Sequence, residues 1–141
     1  MALDLRVEEA RRDEGLGTEV YVLRVETEGF SVVLEKRYSQ FLELHRVMKM
    51  RYHSQHLEKL PSFPGKKVLK HMLGGLSQED IEDRRAKLES YMRKLENNAN
   101  SKESHYFLEF LQLPRPVAAA WLRYRQRIAA ATPVSDLSNQ C

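Results

Sequence analysis

The amino-terminal part of the chain alternates hydrophobic and polar residues with a period of two. Leu3, Leu5 and Val7 alternate with charged residues, and a similar pattern runs from residue 19 to residue 27. Residues 30–34 form a third run, rich in β-branched and aromatic side chains. Such patterns are typical of strands with one buried face. Residues 13–17 and the pair Glu28-Gly29 favour chain reversal. The pattern therefore predicts a three-stranded antiparallel meander.

After residue 40 the spacing of apolar residues lengthens to that of a helix. A first helix is predicted from about Ser39, as its N-cap, to about Tyr52. Ser77 to Asp80 read as a capping box that opens a second helix, which ends near Asn98. Residues 106–111 predict a short apolar helix before Pro114. The apolar positions of the second helix form one stripe: Ile81, Leu88, Met92 and Leu95.

The segment Leu60 to Lys67 contains two prolines and a glycine, and it therefore predicts an extended, polyproline-like turn between the first two helices. Together these elements indicate an α+β fold in which a three-stranded antiparallel sheet packs against a helical subdomain with a Pro-rich loop. A chain of 141 residues is long enough to bury a core without disulfides or a metal.

Charge is unevenly distributed along the chain. Residues 1–35 carry four basic and nine acidic side chains, whereas residues 36–70 carry nine basic and two acidic ones. A cation-rich middle between acidic flanks favours a focused anion site over the broad basic surface of a nucleic-acid-binding protein. We therefore expect no nucleic-acid partner.

Several functional classes find no support in the sequence. We recognise no nucleophile motif, no phosphate-cradling glycine loop and no metal-ligand cluster, so we expect no catalytic residues, no metal and no cofactor. No apolar run approaches the length of a transmembrane helix, the amino terminus lacks the pattern of a secretory signal, and the one cysteine is Cys141. These features predict a cytoplasmic, non-catalytic protein.

The run from Lys36 to Phe41 lies where the third strand should become the first helix. The planar fork of Arg37 suits phosphate oxygens, and the ring of Tyr38 can cover the apolar side of a sugar or inositol. On its own this signal is weak, because a Lys-Arg pair at a strand end is commonly a solvated rim.

Arg84 lies near the apolar stripe of the second helix, about 40° from its centre at about 100° per residue. A charged side chain at that position needs a partner. That partner is either a bound ligand or an internal carboxylate, and the sequence leaves both alternatives open. Arg85 is expected to be a structural or rim residue.

Three motifs occur in the order that is characteristic of one family. They are Arg-Tyr-x-x-Phe at Arg37 to Phe41, Leu-Pro-x-x-Pro-x-Lys at Leu60 to Lys66, and Arg-Arg-x-x-Leu-x-x-Tyr at Arg84 to Tyr91. From about Leu3 to Leu113 the chain resembles the PX (phox-homology) domain, the phosphoinositide-binding module of sorting nexins. We therefore assign residues 1–113 to a PX-like domain, 114–131 to an additional helix and 132–141 to a disordered tail.

The resemblance implies a role for each matching position. Arg37 would bind the 3-phosphate, Tyr38 would pack under the inositol, Lys66 would contact the 1-phosphate and Arg84 would bind the 4- and 5-hydroxyls. This set implies phosphatidylinositol 3-phosphate on early endosomes, where the protein would be peripheral on the membrane. The following loop would insert apolar side chains beside two lysines: Val68, Leu69, Met72 and Leu73, with Lys67 and Lys70.

Alternatives remain open for several of these features. Some of the apolar loop residues could instead pack under the loop. The extra helix could dock on the domain, bind a partner helix or lie on a membrane surface. The whole module could also serve mainly to bind a trafficking or cargo protein, with weak lipid affinity. The oligomeric state stays undetermined.

Overall fold

The sheet has the predicted topology. A computed structural model of the chain describes residues 3–13, 15, 17–51, 60–65, 77–98 and 104–131. Strands β1 (Asp4–Asp13), β2 (Thr18–Thr27) and β3 (Phe30–Arg37) pair antiparallel in the order β1-β2-β3. Gly29, in the turn between β2 and β3, has a φ of 76°, a conformation that glycine adopts without steric cost. The α+β prediction is confirmed.

Strand β1 extends further than the alternating pattern indicated. The register with β2 shifts between Val7 and Glu9, which is a β-bulge, and the strand then continues with polar residues to Asp13. Ion pairs across the sheet accompany this extension, including Arg24 with Glu8. The polar half of the strand was missed because its side chains face solvent and show no apolar alternation.

Helix α1 (Tyr38–Arg51) follows β3 without a loop. The N-cap is therefore Arg37, whose backbone N–H donates to Oε1 of Gln40 at 2.9 Å. The predicted cap at Ser39 is wrong, because the direct strand-to-helix transition moves the helix start forward and leaves Ser39 within the first turn. The predicted end at Tyr52 lies outside the described residues.

Helix α2 (Gln78–Asn98) begins with the predicted capping box. The N–H of Asp80 donates to Oγ of Ser77 at 3.1 Å, and the N–H of Ser77 donates to Oδ2 of Asp80 at 3.2 Å. All four residues of the predicted apolar stripe are buried in the core: Ile81, Leu88, Met92 and Leu95.

The same helix also covers the outer edge of the sheet. The guanidinium of Arg93 donates to the carbonyl of Leu5 at 2.9 Å, and the N–H of Val7 donates to Oε1 of Glu89 at 2.9 Å. Side chains of α2 thus pair backbone groups of edge strand β1 that would otherwise be open to another strand. This packing fixes the position of α2 relative to the sheet.

Two further helices complete the described fold. Helix α3 (Ser104–Phe110) is followed by a turn in which Gln112 is left-handed, with a φ of 55°. Helix α4 (Arg115–Ala131) buries Trp121 completely, with its ring 6.0 Å from that of Phe107. Within the described part of the chain, α4 therefore docks on the domain. The predicted tail, 132–141, lies outside the described residues.

Candidate functional site

The junction of β3 and α1 places two successive side chains in different environments. Lys36 points into the core on the same face as Leu34, whereas the side chain of Arg37 is exposed on the opposite face. Arg37 forms no ion pair with any described residue. Among the residues that the structure describes, it therefore has no carboxylate partner at the end of the sheet, next to the first residue of α1.

Tyr38 connects this junction to the Pro-rich turn. Its hydroxyl donates to the carbonyl oxygen of Pro64 at 2.7 Å, and its half-buried ring lies 5.5 Å from that of Phe63. Burial raises the pKa of Tyr38, and the charge of Arg84 acts against that rise. The hydroxyl therefore stays protonated at neutral pH and remains a donor to the turn.

Phe63 holds the turn between the two long helices. Its ring stacks on His45 of α1 at 5.0 Å and meets Tyr91 of α2 edge-on, also at 5.0 Å. His45 Nδ1 and the hydroxyl of Tyr91 are 2.9 Å apart, within hydrogen-bond distance. This aromatic cluster packs the Pro-rich turn between the middle of α1 and the second half of α2.

Arg84 lies beside Tyr38 as a result. Its side chain is only 7% exposed, and Cζ is 4.1 Å from the centroid of the Tyr38 ring. No carboxylate among the described residues pairs with it, so the internal ion pair left open by the sequence is not found there. Arg85 differs, because it pairs with Glu82 at 2.7 Å and donates to the carbonyl of Val7.

Arg37 and Arg84 differ in their ion pairing from the other described arginines of the sheet and of helices α1 and α2. Within the sheet and helices α1 and α2, every other arginine whose side chain is described has a carboxylate partner: Arg6, Arg11, Arg12, Arg24, Arg46, Arg85 and Arg93. Arg37 and Arg84 are the exceptions. Arg37 precedes Tyr38 in the chain and Arg84 stacks on its ring, so two guanidinium groups without a described carboxylate partner belong to the surroundings of one tyrosine.

Sequence reasoning missed two buried polar residues near the site. Lys36, to which the sequence analysis gave no role of its own, is 7% exposed, with Nζ 4.5 Å from the ring centroid of Phe110, and burial lowers its pKa. Tyr21 is its cross-strand partner and is fully buried. Extending the inward-facing alternation past Leu34 would have placed Lys36 on the core face.

The remaining predicted site residues cannot be placed. Lys66 and the membrane-contact residues from Lys67 to Leu73 lie outside the described residues. Among the residues that are described, no group of three or more potential metal ligands occurs and no helix is long and apolar enough to cross a membrane.

Comparison with known proteins adds the family. A family model described as PX domain matches residues 25–114. The chain belongs to the PX domain family. The match begins within β2 and ends before α4, although both β1 and α4 contribute buried residues to the core of this protein. The predicted family membership is confirmed.

Solved PX domains share the fold. A designed CISK-PX domain is 25% identical, with a TM-score of 0.59, over 74% of this chain and 96% of the other. The mouse SNX19 PX domain with bound sulphate ion is 20% identical, with a TM-score of 0.58, over 80% and 98%. No match was found among curated proteins. PX domains are in general non-catalytic modules of membrane trafficking that bind phosphoinositide-containing membranes.

Proposed function

We propose that this PX domain binds phosphatidylinositol 3-phosphate and thereby recruits the protein from the cytoplasm to early endosomal membranes. The observation that carries the proposal is a pair of arginines at Tyr38: Arg37 precedes it in the chain and Arg84 stacks on its ring, and neither has a carboxylate partner among the described residues. A phosphorylated inositol would supply acceptor oxygens to both guanidinium groups.

Burial makes the argument stronger for Arg84 than for Arg37. Removing a charged side chain from water is costly unless a partner compensates it. Arg84 is nearly buried, and its described contact is the face of an aromatic ring, which compensates less than a hydrogen-bonded anion does. A bound headgroup would provide that compensation, since guanidinium offers five N–H donors in a fixed plane.

The two arginines have different proposed roles. Arg37 is exposed at the strand end and binds the 3-phosphate, while Arg84 donates to the 4- and 5-hydroxyls. A guanidinium engaged with these two hydroxyls leaves less room for phosphates there, which favours the singly phosphorylated lipid. Lys66 at the 1-phosphate, and the loop with Val68, Leu69, Met72 and Leu73 beside Lys67 and Lys70, complete the proposed membrane contact.

Vesicle sedimentation tests the proposal. Wild-type protein is mixed with neutral vesicles that carry phosphatidylinositol or one of its mono- or bisphosphorylated forms, and the bound fraction is measured. We expect the strongest binding to the 3-phosphate form. Arg37→Ala should weaken this binding about 30-fold or more, because truncating one partner of a hydrogen-bonded charge pair costs at least about 2 kcal/mol.

A charge-matched control separates the pocket from general electrostatics. Arg6 is exposed on β1, opposite Arg24 of β2. Arg37 is opposite Val20, which lies four residues from Arg24 along β2. Arg6 therefore lies about 13 Å from Arg37 along the strand direction. Arg6→Ala removes one positive charge and should leave binding unchanged. Equal losses in the two variants would contradict the pocket.

The same experiment bears on the alternative function. If wild-type protein binds none of the phosphoinositide vesicles above the phosphatidylinositol background, the result would favour a domain that mainly binds a trafficking or cargo protein. Binding that follows only the total charge of the vesicle would exclude selectivity for the 3-phosphate.

A further inference from the structure

Three side chains near the proposed pocket come from three different elements. Tyr21 lies on β2, Tyr38 begins α1 and Arg84 belongs to α2. The hydroxyl of Tyr21 is fully buried and has no hydrogen-bond partner among the described residues. A buried hydroxyl without a partner costs free energy that phenylalanine at this position would not.

Arg84 is the neighbour that could satisfy this hydroxyl. The ring of Tyr21 meets that of Phe41 edge-on at 6.3 Å, and Phe41 lies one turn along α1 from Tyr38, on which Arg84 stacks. In agreement with this placement, burial raises the pKa of Tyr21 and the charge of Arg84 acts against that rise. No hydrogen bond of normal distance and angle joins them, however. The guanidinium instead stacks on the ring of Tyr38 with Cζ 4.1 Å from its centroid.

This stacking occupies one face of the Tyr38 ring. A headgroup that packs on the ring face now covered by Arg84 requires the guanidinium to leave that face. A guanidinium that leaves this face loses its described contact, and a nearly buried cation gains from every hydrogen bond that supplements those to the headgroup. Among the described side chains, the hydroxyl of Tyr21 is the buried polar group without a hydrogen-bond partner.

We propose that Tyr21 is a positioning residue for Arg84 in the lipid-bound state. When the inositol takes the face of Tyr38, the guanidinium turns away and donates one N–H to the hydroxyl of Tyr21. This bond fixes the plane of the guanidinium, so that its other N–H groups face the hydroxyls of the headgroup. The inference rests on the proposed function and adds a residue that the family motifs do not include.

The test is Tyr21→Phe, which keeps the ring and removes the hydroxyl alone. Its urea midpoint should equal or exceed that of the wild type, because the lost hydroxyl has no described partner. Its affinity for vesicles with phosphatidylinositol 3-phosphate should fall about 10-fold, as expected for one hydrogen bond to a charged group. Tyr124→Phe, which removes a half-buried hydroxyl on α4, is the matched control and should bind as the wild type does.

A double-mutant cycle shows whether Tyr21 acts through Arg84. In an Arg84→Gln background, Tyr21→Phe should cause no further loss of affinity. An equal 10-fold loss in both backgrounds would overturn the proposal, and so would wild-type affinity in the single variant. Failure of the wild type to bind these vesicles is a separate result that would overturn the proposed function itself.

A measurement on the wild type does not depend on any variant folding. With isotope-labelled tyrosine, the ring-carbon signal next to the Tyr21 hydroxyl should shift when inositol 1,3-bisphosphate is added, because the hydroxyl gains a charged donor. Saturation of the pocket without a shift at Tyr21 would overturn the proposal.

Discussion

Trp121 should contribute strongly to stability although it lies beyond the region matched by the family model. It is completely buried, its ring packs against Phe107, and Nε1 donates to Oε1 of Glu96 at 3.3 Å. Glu96 is itself only 6% exposed and accepts one other described bond, a long one of 3.5 Å from the N–H of Leu3. Two variants separate the packing from the hydrogen bond.

Trp121→Ala removes both contributions and should cost about 3–5 kcal/mol, the usual range for deleting a large buried ring. Trp121→Phe keeps most of the packing and removes the hydrogen bond to Glu96. It should cost about 1.5 kcal/mol, the low end of the range for a hydrogen bond to a charged group, because the 3.3 Å between Nε1 and Oε1 is long for such a bond. If the free energy of unfolding falls by about 2 kcal/mol per M urea, the midpoint should fall by about 2 M for Trp121→Ala. For Trp121→Phe it should fall by slightly less than about 1 M.

Urea unfolding followed by far-ultraviolet circular dichroism measures both shifts without needing tryptophan fluorescence. Arg123→Ala is the control, since this side chain is exposed on the same helix and its loss should change stability by less than about 0.5 kcal/mol. A Trp121→Ala midpoint within experimental error of the Arg123→Ala midpoint would refute the docking of α4 on the domain.

Three further predictions concern the elements around the pocket. Ser77→Ala removes the N-cap of α2 and should lower the free energy of unfolding by about 1 kcal/mol in urea titrations; an unchanged midpoint would count against the capping box. Tyr38→Phe breaks the bond to Pro64 but keeps the ring, so stability should fall by about 0.5–1.5 kcal/mol while lipid affinity changes little; a large loss of affinity would show that the hydroxyl matters more than the ring. Burial lowers the pKa of Lys36 in the folded protein below its usual 10.5. At pH values between the folded-state pKa and the unfolded-state pKa, the unfolded chain therefore binds more protons, and the free energy of unfolding should rise with pH. Lys36→Met should lack this rise, and parallel curves of urea midpoint against pH for the two proteins would contradict it.

Local sequence signals predicted those parts of the fold that depend on neighbouring residues. The capping box at Ser77 formed as expected, because its bonds join residues three apart. The stripe that begins at Ile81 was found from helical spacing alone, and the same spacing correctly removed Arg84 from the solvent face. Each of these predictions needed only the geometry of one helix.

The arrangement of the site could not be predicted in the same way. Arg84 stacks on Tyr38 and lies near Tyr21, and these residues belong to a helix, a helix start and a strand that are distant in sequence. Their distances depend on the packing of Phe63 between α1 and α2. The burial of Lys36 was missed for a different reason: its residue type favours solvent, but the inward register of β3 continues past Leu34 and places it in the core.

Calorimetric titration with soluble inositol 1,3-bisphosphate tests the central claim most directly, because it removes every contribution from the membrane surface. We predict saturable binding of one headgroup by the wild type, with a loss of about 30-fold or more for Arg37→Ala. Arg6→Ala should bind as the wild type does. Absence of binding to the wild type, or equal affinity in the wild type and Arg37→Ala, would contradict a headgroup pocket at Arg37, Tyr38 and Arg84.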